Sequence, residues 1–252
     1  MSLPSSGAPS SPSWLQDLTA EVTGRRVRDD AVVAPSGGPA GNARLTAWTG
    51  VLLLALVLAE LLTLFDVSGL INWHVSLGAL LIPVALLKTT STGWRILRYY
   101  TGNPAYRAAG PPPAALRVLG PLVVASTVGV LGSGVALVLL GPDRSRHTLF
   151  AAVGQRVDWV TVHQALFLAF AVLAGLHLLG RAVRVVELVS GRAHRAPGRP
   201  RRLPGRNRRA TLFLVLLAAG AVAVALLLPL AGDWHDAHGP RPGPPGASTA
   251  VR

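Results

Sequence analysis

Five side chains that can bind a metal ion or carry a proton lie inside long apolar stretches of this 252-residue sequence. They are Glu60, His74, Lys88, His163 and His177. An ionisable group is costly in lipid, so each of these residues needs either a partner or a function. Their spacing is the main chemical signal in the sequence.

The histidines recur at a fixed interval. His163 and His177 are 14 residues apart in one apolar stretch, and His74 and Lys88 are 14 residues apart in another. In an α-helix this interval is nearly four turns, so both side chains project from one face, about 21 Å apart along the axis. A haem iron between two helices takes one axial nitrogen from each helix at the same depth. The interval therefore predicts an outer pair, His74 with His163, and an inner pair, Lys88 with His177.

Lys88 is the only lysine among the 24 basic residues, and three interpretations of it stay open. As a neutral amine, it would be the second axial ligand of an inner haem. As a cation, it would pair with a haem propionate or another acidic group near the inner face. In the third interpretation its long stem reaches from the apolar stretch to the lipid headgroups. The first interpretation predicts two haems, and the other two are compatible with one.

Small residues lie near the candidate ligands, where a flat macrocycle needs space against a helix. Gly78 is about one turn from His74. Further glycines, close to His177 and in the third apolar stretch, are Gly175, Gly129, Gly132 and Gly134. Of these, Gly78 and Gly132 are the predicted cofactor contacts. The alternative is that the glycines only let membrane helices pack closely.

Two further groups of residues are candidates for a role at a site. Glu60 is predicted at the depth of His74, where its carboxylate would orient an imidazole N–H or relay a proton, or would only reach the outer interface. The segment DWHDAH follows the last apolar stretch and holds Asp233, His235, Asp236 and His238. Carboxylates and imidazoles together can bind an external metal ion, so this segment is a separate candidate.

Composition places these residues in a membrane protein. Half of the residues are hydrophobic, 14% are charged and the mean hydropathy is +0.45. Five apolar runs follow one another, at about residues 45–64, 70–88, 116–140, 159–179 and 211–230. Each is near the roughly 20 residues that a helix needs to cross a bilayer, and the alternating pattern of a membrane barrel is absent. The predicted fold is an all-α polytopic membrane protein with five transmembrane helices.

The basic residues predict the orientation of these spans in the cell membrane. The net charge is +13, and arginines concentrate before the first run, between the second and third, and between the fourth and fifth. The positive-inside rule makes these segments cytoplasmic, so the N-terminus lies inside and the C-terminus outside. The last of them lacks interleaved aromatic residues, so its predicted partner is membrane lipid rather than nucleic acid. Residues 1–43 and 231–252 are predicted to be disordered tails of a membrane domain at 44–230.

Missing residue types narrow the chemistry further. The sequence has no cysteine, which excludes disulfides, zinc fingers, iron–sulfur clusters and c-type haem attachment. Its one methionine is Met1, which excludes a His/Met haem in the apolar runs. No GxGxxG motif follows a strand, so a nicotinamide or flavin domain is not expected. An electron carrier of this kind would need its donor and acceptor on other molecules.

The paired interval in alternate helices resembles the four-helix core of membrane cytochromes b, including cytochrome b561 and the cytochrome b subunits of hydrogenases and formate dehydrogenases. The string HVSLGALLIPVALLKTTSTGWRILRYYTGNPAYRAAGPPP, residues 74–113, also resembles small integral membrane proteins of high-GC Gram-positive bacteria. The resemblance covers about residues 45–190. It implies a four-helix haem-binding bundle with one or two haem b groups. The implied ligands are His74, His163 and His177, and Lys88 stands where a di-haem cytochrome b would have a histidine.

Two hypotheses of function follow. In the first, the chain is a membrane b-type cytochrome that carries electrons between a quinone or redox partner protein and an acceptor. If it belongs to an enzyme, it is an electron-transfer subunit of an oxidoreductase. In the alternative, the chain is a haem-free transporter or membrane anchor subunit whose histidines and lysine form a polar or proton pathway. Both hypotheses are compatible with a homo- or hetero-oligomer.

Overall fold

The computed structural model describes residues 16, 19–20, 30–110, 114–152, 154–190 and 203–236, with the backbone alone at 114–116, 235 and 236. Within these residues, five helices are long and apolar enough to cross a membrane, and the structure is mostly helical. The chain is therefore an all-α polytopic membrane protein, as its sequence predicts. Its surface is correspondingly apolar, with leucine and valine side chains exposed along every long helix.

The elements follow one another in a simple order. They are α1 (Gly38–Thr63), α2 (Ile71–Tyr100), α3 (Pro104–Ala108), α4 (Ala114–Ser145), β1 (Phe150–Ala152), β2 (Gln155–Val157), α5 (Trp159–Leu179), α6 (Ala182–Val189), α7 (Arg206–Leu227) and α8 (Gly232–Asp236). Short 3-10 helices occupy Leu64–Asp66 and Leu228–Ala231. The two strands form an antiparallel hairpin between α4 and α5, which the sequence does not predict.

The observed helices are longer than most of the predicted spans. The α5 bounds coincide with the predicted run, but α2 continues to Tyr100 rather than ending near Lys88. The added turns are largely exposed and carry Arg98, whose guanidinium lies 4.8 Å from the centre of the Trp94 ring. A helix need not stop where its apolar run stops, because a basic and aromatic extension is stable at the headgroups.

The predicted disordered tails are too long at both ends. Gly38 to Ala43 belong to α1, which begins at a left-handed Gly37 followed by a proline in the first turn. Residues 231–236 continue as a 3-10 turn and α8. Both segments pack on the helix bundle, so tertiary contacts override their loop-like composition. The rest of the predicted tails lies outside the described residues, as do residues 191–202 of the arginine-rich loop.

Helix α2 lies at the centre of the arrangement. It packs antiparallel to α1, and on another side against α4 and α7. Gly220 of α7 allows the close approach there, since a β-carbon on it would lie 2.8 Å from Leu80 Cδ2. Helix α5 packs mainly on α4, and it meets α2 less closely than α2 meets α1. The bundle is thus two hairpins, α1–α2 and α4–α5, with α7 closing one side.

The ends of the bundle, named inner and outer after the predicted orientation, are held differently. At the inner end, buried Asp30 accepts hydrogen bonds from Arg95 of α2 at 2.8 Å and from Arg184 of α6 at 2.9 Å. At the outer end an apolar cluster forms around Ile71, Val75, Ala231 and Trp234. Asp158 caps α5 by accepting from Thr161 N at 2.8 Å, and this bond holds the pKa of its exposed carboxyl below the usual range. The two hairpins are therefore pinned at both ends.

Candidate functional site

The structure brings His74 of α2 and His163 of α5 together near the outer end of the bundle. Their ring centroids are 6.4 Å apart, and the ring planes are nearly perpendicular, at 87°. Both side chains are half-buried. The pairing at one depth is what the shared 14-residue interval predicts for α2 and α5, which run in the same direction. Helices α2 and α5 make few backbone contacts, so the two rings meet between the two hairpins.

The Nδ1 atom of His74 is bound to α1. It lies 2.9 Å from Thr63 Oγ1 and 3.0 Å from Glu60 Oε1. The Thr63 hydroxyl donates its own proton to the Glu60 carbonyl oxygen at 2.6 Å. When the Thr63 hydroxyl donates to this carbonyl, its oxygen accepts from the imidazole, and we assign the His74 proton to Nδ1 on this basis. Glu60 is thus placed to orient the ring, one of the two roles that the sequence leaves open for it.

The Nδ1 atom of His163 is bound in the same way to the other hairpin. It lies 2.9 Å from Ser133 Oγ of α4. The Ser133 hydroxyl donates to the Val130 carbonyl oxygen at 3.0 Å, so it too must accept from the imidazole. His163 therefore also carries its proton on Nδ1. In both rings the lone pair is left on Nε2, for which the described residues offer no hydrogen-bond donor.

Two imidazoles with free Nε2 lone pairs cannot hydrogen-bond to each other, because neither atom has a proton to donate. They can share a metal ion. A metal–nitrogen bond of about 2 Å and roughly 1 Å from nitrogen to ring centre put two opposed imidazole centroids ~6 Å apart, close to the 6.4 Å observed. The second hydrogen bond on each ring is the arrangement that normally orients a metal-binding histidine.

The set of donors distinguishes between metal centres. Among the residues that the structure describes, no group of three or more His, Cys, Asp or Glu side chains could hold a metal ion. A structural zinc ion takes four protein ligands and a catalytic one takes three. A pair of imidazoles fits an iron that brings its other ligands with it, as a haem does. The residues present therefore fit haem better than a bare ion.

The glycines near the histidines differ in what they contact. A β-carbon on Gly134 would lie 3.3 Å from His163 Cε1, so Gly134 makes room for this ring. Gly78 faces Glu60, with its β-carbon position 3.7 Å from Oε1. Gly132 is exposed and has nothing within 4 Å, as has Gly175. Gly134 is therefore the α4 glycine beside the His163 ring, and the cofactor contact of Gly132 stays a prediction.

The inner half of the bundle looks different. The Lys88 ammonium donates to the Thr46 carbonyl oxygen of α1 at 2.8 Å. Around it, Thr46 Oγ1 lies 2.9 Å from Ser91 Oγ, and Asn42 Nδ2 donates to the Ser91 carbonyl oxygen at 3.0 Å. These bonds join α1 to α2. Lys88 thus contacts α1, the hairpin partner of its own helix. Of the three interpretations of Lys88, the ion pair and the contact with lipid headgroups do not need a bond to iron.

His177 lies on the same face of α5 as His163. The half-buried positions of α5 include both histidines and form a single stripe along the helix. The Nδ1 atom of His177 is buried, and no residue in the described ranges forms a hydrogen bond with it. Among the described residues, no second imidazole contacts this ring.

Thr63 and Ser133 are site residues that sequence reasoning missed. Each hydroxyl sits on the helix that neighbours a histidine helix, and isolated hydroxyls in apolar runs are too common to stand out. The contact of Thr63 with His74 could have been predicted from the α1–α2 hairpin, because the two residues flank one short turn and therefore lie at the same depth. The DWHDAH segment stays untested: Asp233 is described, but the side chains of His235, Asp236 and His238 lie outside the described residues.

Comparisons with protein-family models, with curated proteins and with solved structures give no match for this chain. The resemblance to membrane cytochromes b accordingly stays a prediction. The geometry of His74 and His163 has to carry the functional argument.

Proposed function

We propose that this chain is a membrane b-type cytochrome that holds one haem b between His74 and His163. The observation that carries the proposal is that both imidazole rings form the same kind of hydrogen bond at Nδ1. Each is bound at Nδ1 by its own hairpin and keeps an Nε2 lone pair, and the centroids are 6.4 Å apart. Two imidazole acceptors without a donor, paired between neighbouring helices of an apolar bundle, favour a metal between them.

The chain's own residues have separate tasks in this proposal. His74 and His163 would hold the haem through their ring nitrogens, and a bound haem would supply reversible one-electron chemistry. Thr63 and Glu60 fix the ring of His74, while Ser133 fixes that of His163. Hydrogen bonds of this kind increase the electron donation of an imidazole and so adjust the reduction potential of its iron. The surrounding apolar helices exclude water.

Donor and acceptor lie on other molecules in this proposal. The chain is exposed to lipid along its long helices, which suits exchange of electrons with a quinone dissolved in the membrane. A redox partner protein is the other source or acceptor, in which case the chain acts as the membrane subunit of an oxidoreductase. The proposal places the chain in the plasma membrane with its N-terminus in the cytoplasm, because the arginines gather at the inner end.

An absorption spectrum tests the proposal. We expect protein purified after expression with a haem precursor to show a Soret band and one haem per chain in a pyridine haemochrome assay. His74→Ala and His163→Ala should each abolish the band. His147→Ala is the matched control, since His147 is exposed in the loop after α4 and should retain full haem content. Protein without haem absorbance, or full haem content in both site variants, would refute the proposal.

The number of haems separates two forms of the proposal. His177→Ala should leave the haem content at one per chain, because Lys88 is bound to Thr46 and the described residues place no second ligand nitrogen opposite His177. A wild-type content of two that falls to one in His177→Ala would instead indicate an inner haem.

A haem-free polar pathway is the second candidate function. Two buried polar atoms favour it, Glu60 Oε2 near the outer end and His177 Nδ1 near the inner end, because neither has a hydrogen-bond partner among the described residues. A transporter or anchor subunit of this kind would purify without haem. In liposomes, a transporter would show pH-dependent movement of protons or substrate that His177→Ala reduces.

A further inference from the structure

Gln164 of α5 carries a polar amide on the outside of the bundle. Its side chain is exposed, and no hydrogen-bond partner for it lies among the described residues. Helix α5 has 21 residues, a length of about 31 Å that nearly equals the roughly 30 Å of the hydrocarbon layer. Because Gln164 comes five residues after Trp159, where α5 begins, it lies about 8 Å inside that layer. At this depth no water is present, so the amide needs a partner on another helix.

The exposed surface around Gln164 has the spacing of a helix-packing seam. Exposed residues recur along α5 at alternate steps of four and three positions, and they are Gln164, Leu168, Ala171, Gly175 and Leu178. This seven-residue repeat keeps them on the side of a helix that packs along a partner. Ala171 and Gly175 are small, as are residues at places where membrane helices approach closely. We call these five residues the Gln164 face.

The described part of the chain leaves the Gln164 face uncovered. No residue of α5 is buried, and the half-buried stripe that contains His163 and His177 lies on another side of the helix. Helix α5 packs mainly on α4, where a β-carbon on Gly129 would lie 3.0 Å from Leu166 Cδ2, and Leu166 belongs to that stripe. A β-carbon on Gly175 would meet nothing within 4 Å. The Gln164 face is therefore available to a helix of another molecule.

The chemistry of the amide favours a second copy of this chain as that molecule. A glutamine side chain has both a carbonyl acceptor and an NH2 donor, so two such amides can donate to and accept from each other. Copies inserted in one membrane share one orientation, so their α5 helices run parallel and Gln164 lies at the same depth in both. A two-fold axis along the membrane normal then places identical residues opposite each other.

We propose that two copies of this chain pair through the Gln164 faces of parallel α5 helices, with the two Gln164 amides hydrogen-bonded to each other. The amides fix the register of the pair, as a single polar residue does in a soluble coiled coil. Ala171 and Gly175 allow the two backbones to approach closely. The pairing goes beyond the proposed haem function, because it uses a side of α5 other than that of His163 and does not require a bound haem.

Disulfide cross-linking of the full chain in isolated membranes tests the pairing, since the sequence has no cysteine of its own. Ala171→Cys places a thiol in the Gln164 face, and we expect an oxidant to convert most of this variant to a covalent dimer in electrophoresis without reductant. Ala169→Cys is the matched control. Ala169 is also an exposed alanine of α5, but it lies about 160° around the helix from Ala171 and should stay monomeric. Equal cross-linking at both positions would indicate random collision and would overturn the interface.

Substitution of Gln164 tests the role of the amide. The purified chain in detergent should show a monomer–dimer equilibrium in analytical ultracentrifugation, and Gln164→Leu should raise its Kd at least about fivefold. Gln155→Leu is the matched control, because Gln155 is exposed in β2, outside the spans, and its loss should leave the Kd unaltered. Gly175→Leu fits within one chain but holds two chains apart, so it should prevent the cross-link of Ala171→Cys.

The outcomes separate the amide from the rest of the interface. An unchanged Kd in Gln164→Leu overturns the hydrogen-bonded pair. A chain that is monomeric in membranes and in detergent, or that cross-links through Ala171→Cys only to a different protein, overturns the second copy as the occupant. Both measurements are independent of haem content, so their failure is distinguishable from failure of the proposed function.

Discussion

The hydroxyl of Ser133 accepts a hydrogen bond from His163 Nδ1 at 2.9 Å across the α4–α5 hairpin. This bond fixes which nitrogen of His163 is available as a ligand. We expect Ser133→Ala to lower the haem affinity by about 10- to 100-fold, as loss of an orienting hydrogen bond typically does at a metal site. Haem titration of the apoprotein, followed at the Soret band, measures the effect.

Ser126→Ala provides the control for this variant. Ser126 lies on the same helix, is equally buried and donates to the carbonyl three residues before it, but it contacts no histidine. Its haem affinity should equal that of the wild type. Equal losses in both variants would mean that the bundle, rather than the tautomer of His163, responds to the change.

Thr63 makes the corresponding bond to His74, but Glu60 shares that contact. Thr63→Val should therefore weaken haem binding less than Ser133→Ala does, because the carboxylate still accepts from Nδ1. Combining Thr63→Val with Glu60→Leu removes both acceptors, and we expect a loss of about tenfold or more relative to Thr63→Val alone. Additive small effects in the double variant would contradict a shared role for the two residues.

Gly134 limits the space beside the proposed haem ligand. A β-carbon there would lie 3.3 Å from His163 Cε1, tighter than ordinary van der Waals contact, and a larger side chain would displace the ring. We expect Gly134→Val to reduce haem content at least fivefold in the pyridine haemochrome assay, because the pairing of the rings depends on the position of His163. Gly132→Val, which meets nothing within 4 Å, should keep full haem content.

The sequence predicts the five spans and the pairing of His74 with His163 better than it predicts individual side-chain contacts. Apolar length alone locates the five spans, since lipid forces the backbone into helices, and the bounds of α5 coincide with its apolar run. The interval between ionisable residues also places His74 opposite His163, because α2 and α5 run in the same direction and equal depths follow from counting residues.

Contacts that depend on helix rotation were not predictable in this way. Whether Lys88 turns toward α5 or toward α1 depends on how α2 is rotated in the bundle, and the sequence does not state that rotation. For the same reason the glycine beside His163 is Gly134 and not Gly132, two residues away and on another side of α4. The ordered Asp30 segment escaped prediction because polar tertiary contacts, rather than apolar length, stabilise it.

Asp30 should contribute much of the stability of the inner end. Its buried carboxylate pairs with Arg95 and Arg184, which belong to different helices. Asp30→Asn leaves two guanidinium groups without this anion, and removal of one partner from a buried ion pair costs on the order of 3 kcal/mol. We expect a clear fall in Tm in detergent. Glu187→Gln, which removes a partly exposed pair within one helix, should change the free energy of unfolding by less than about 1 kcal/mol.

The sequence has no cysteine, so an introduced cysteine supplies the only thiol. Labelling that thiol from one side of the membrane measures the orientation of the protein. Thr148 follows α4 at the outer end and is exposed, whereas Tyr100 ends α2 at the inner end and is also exposed. In intact cells, a membrane-impermeant maleimide should label Thr148→Cys and leave Tyr100→Cys unlabelled until the membrane is opened. The reverse pattern would place the arginine-rich end outside.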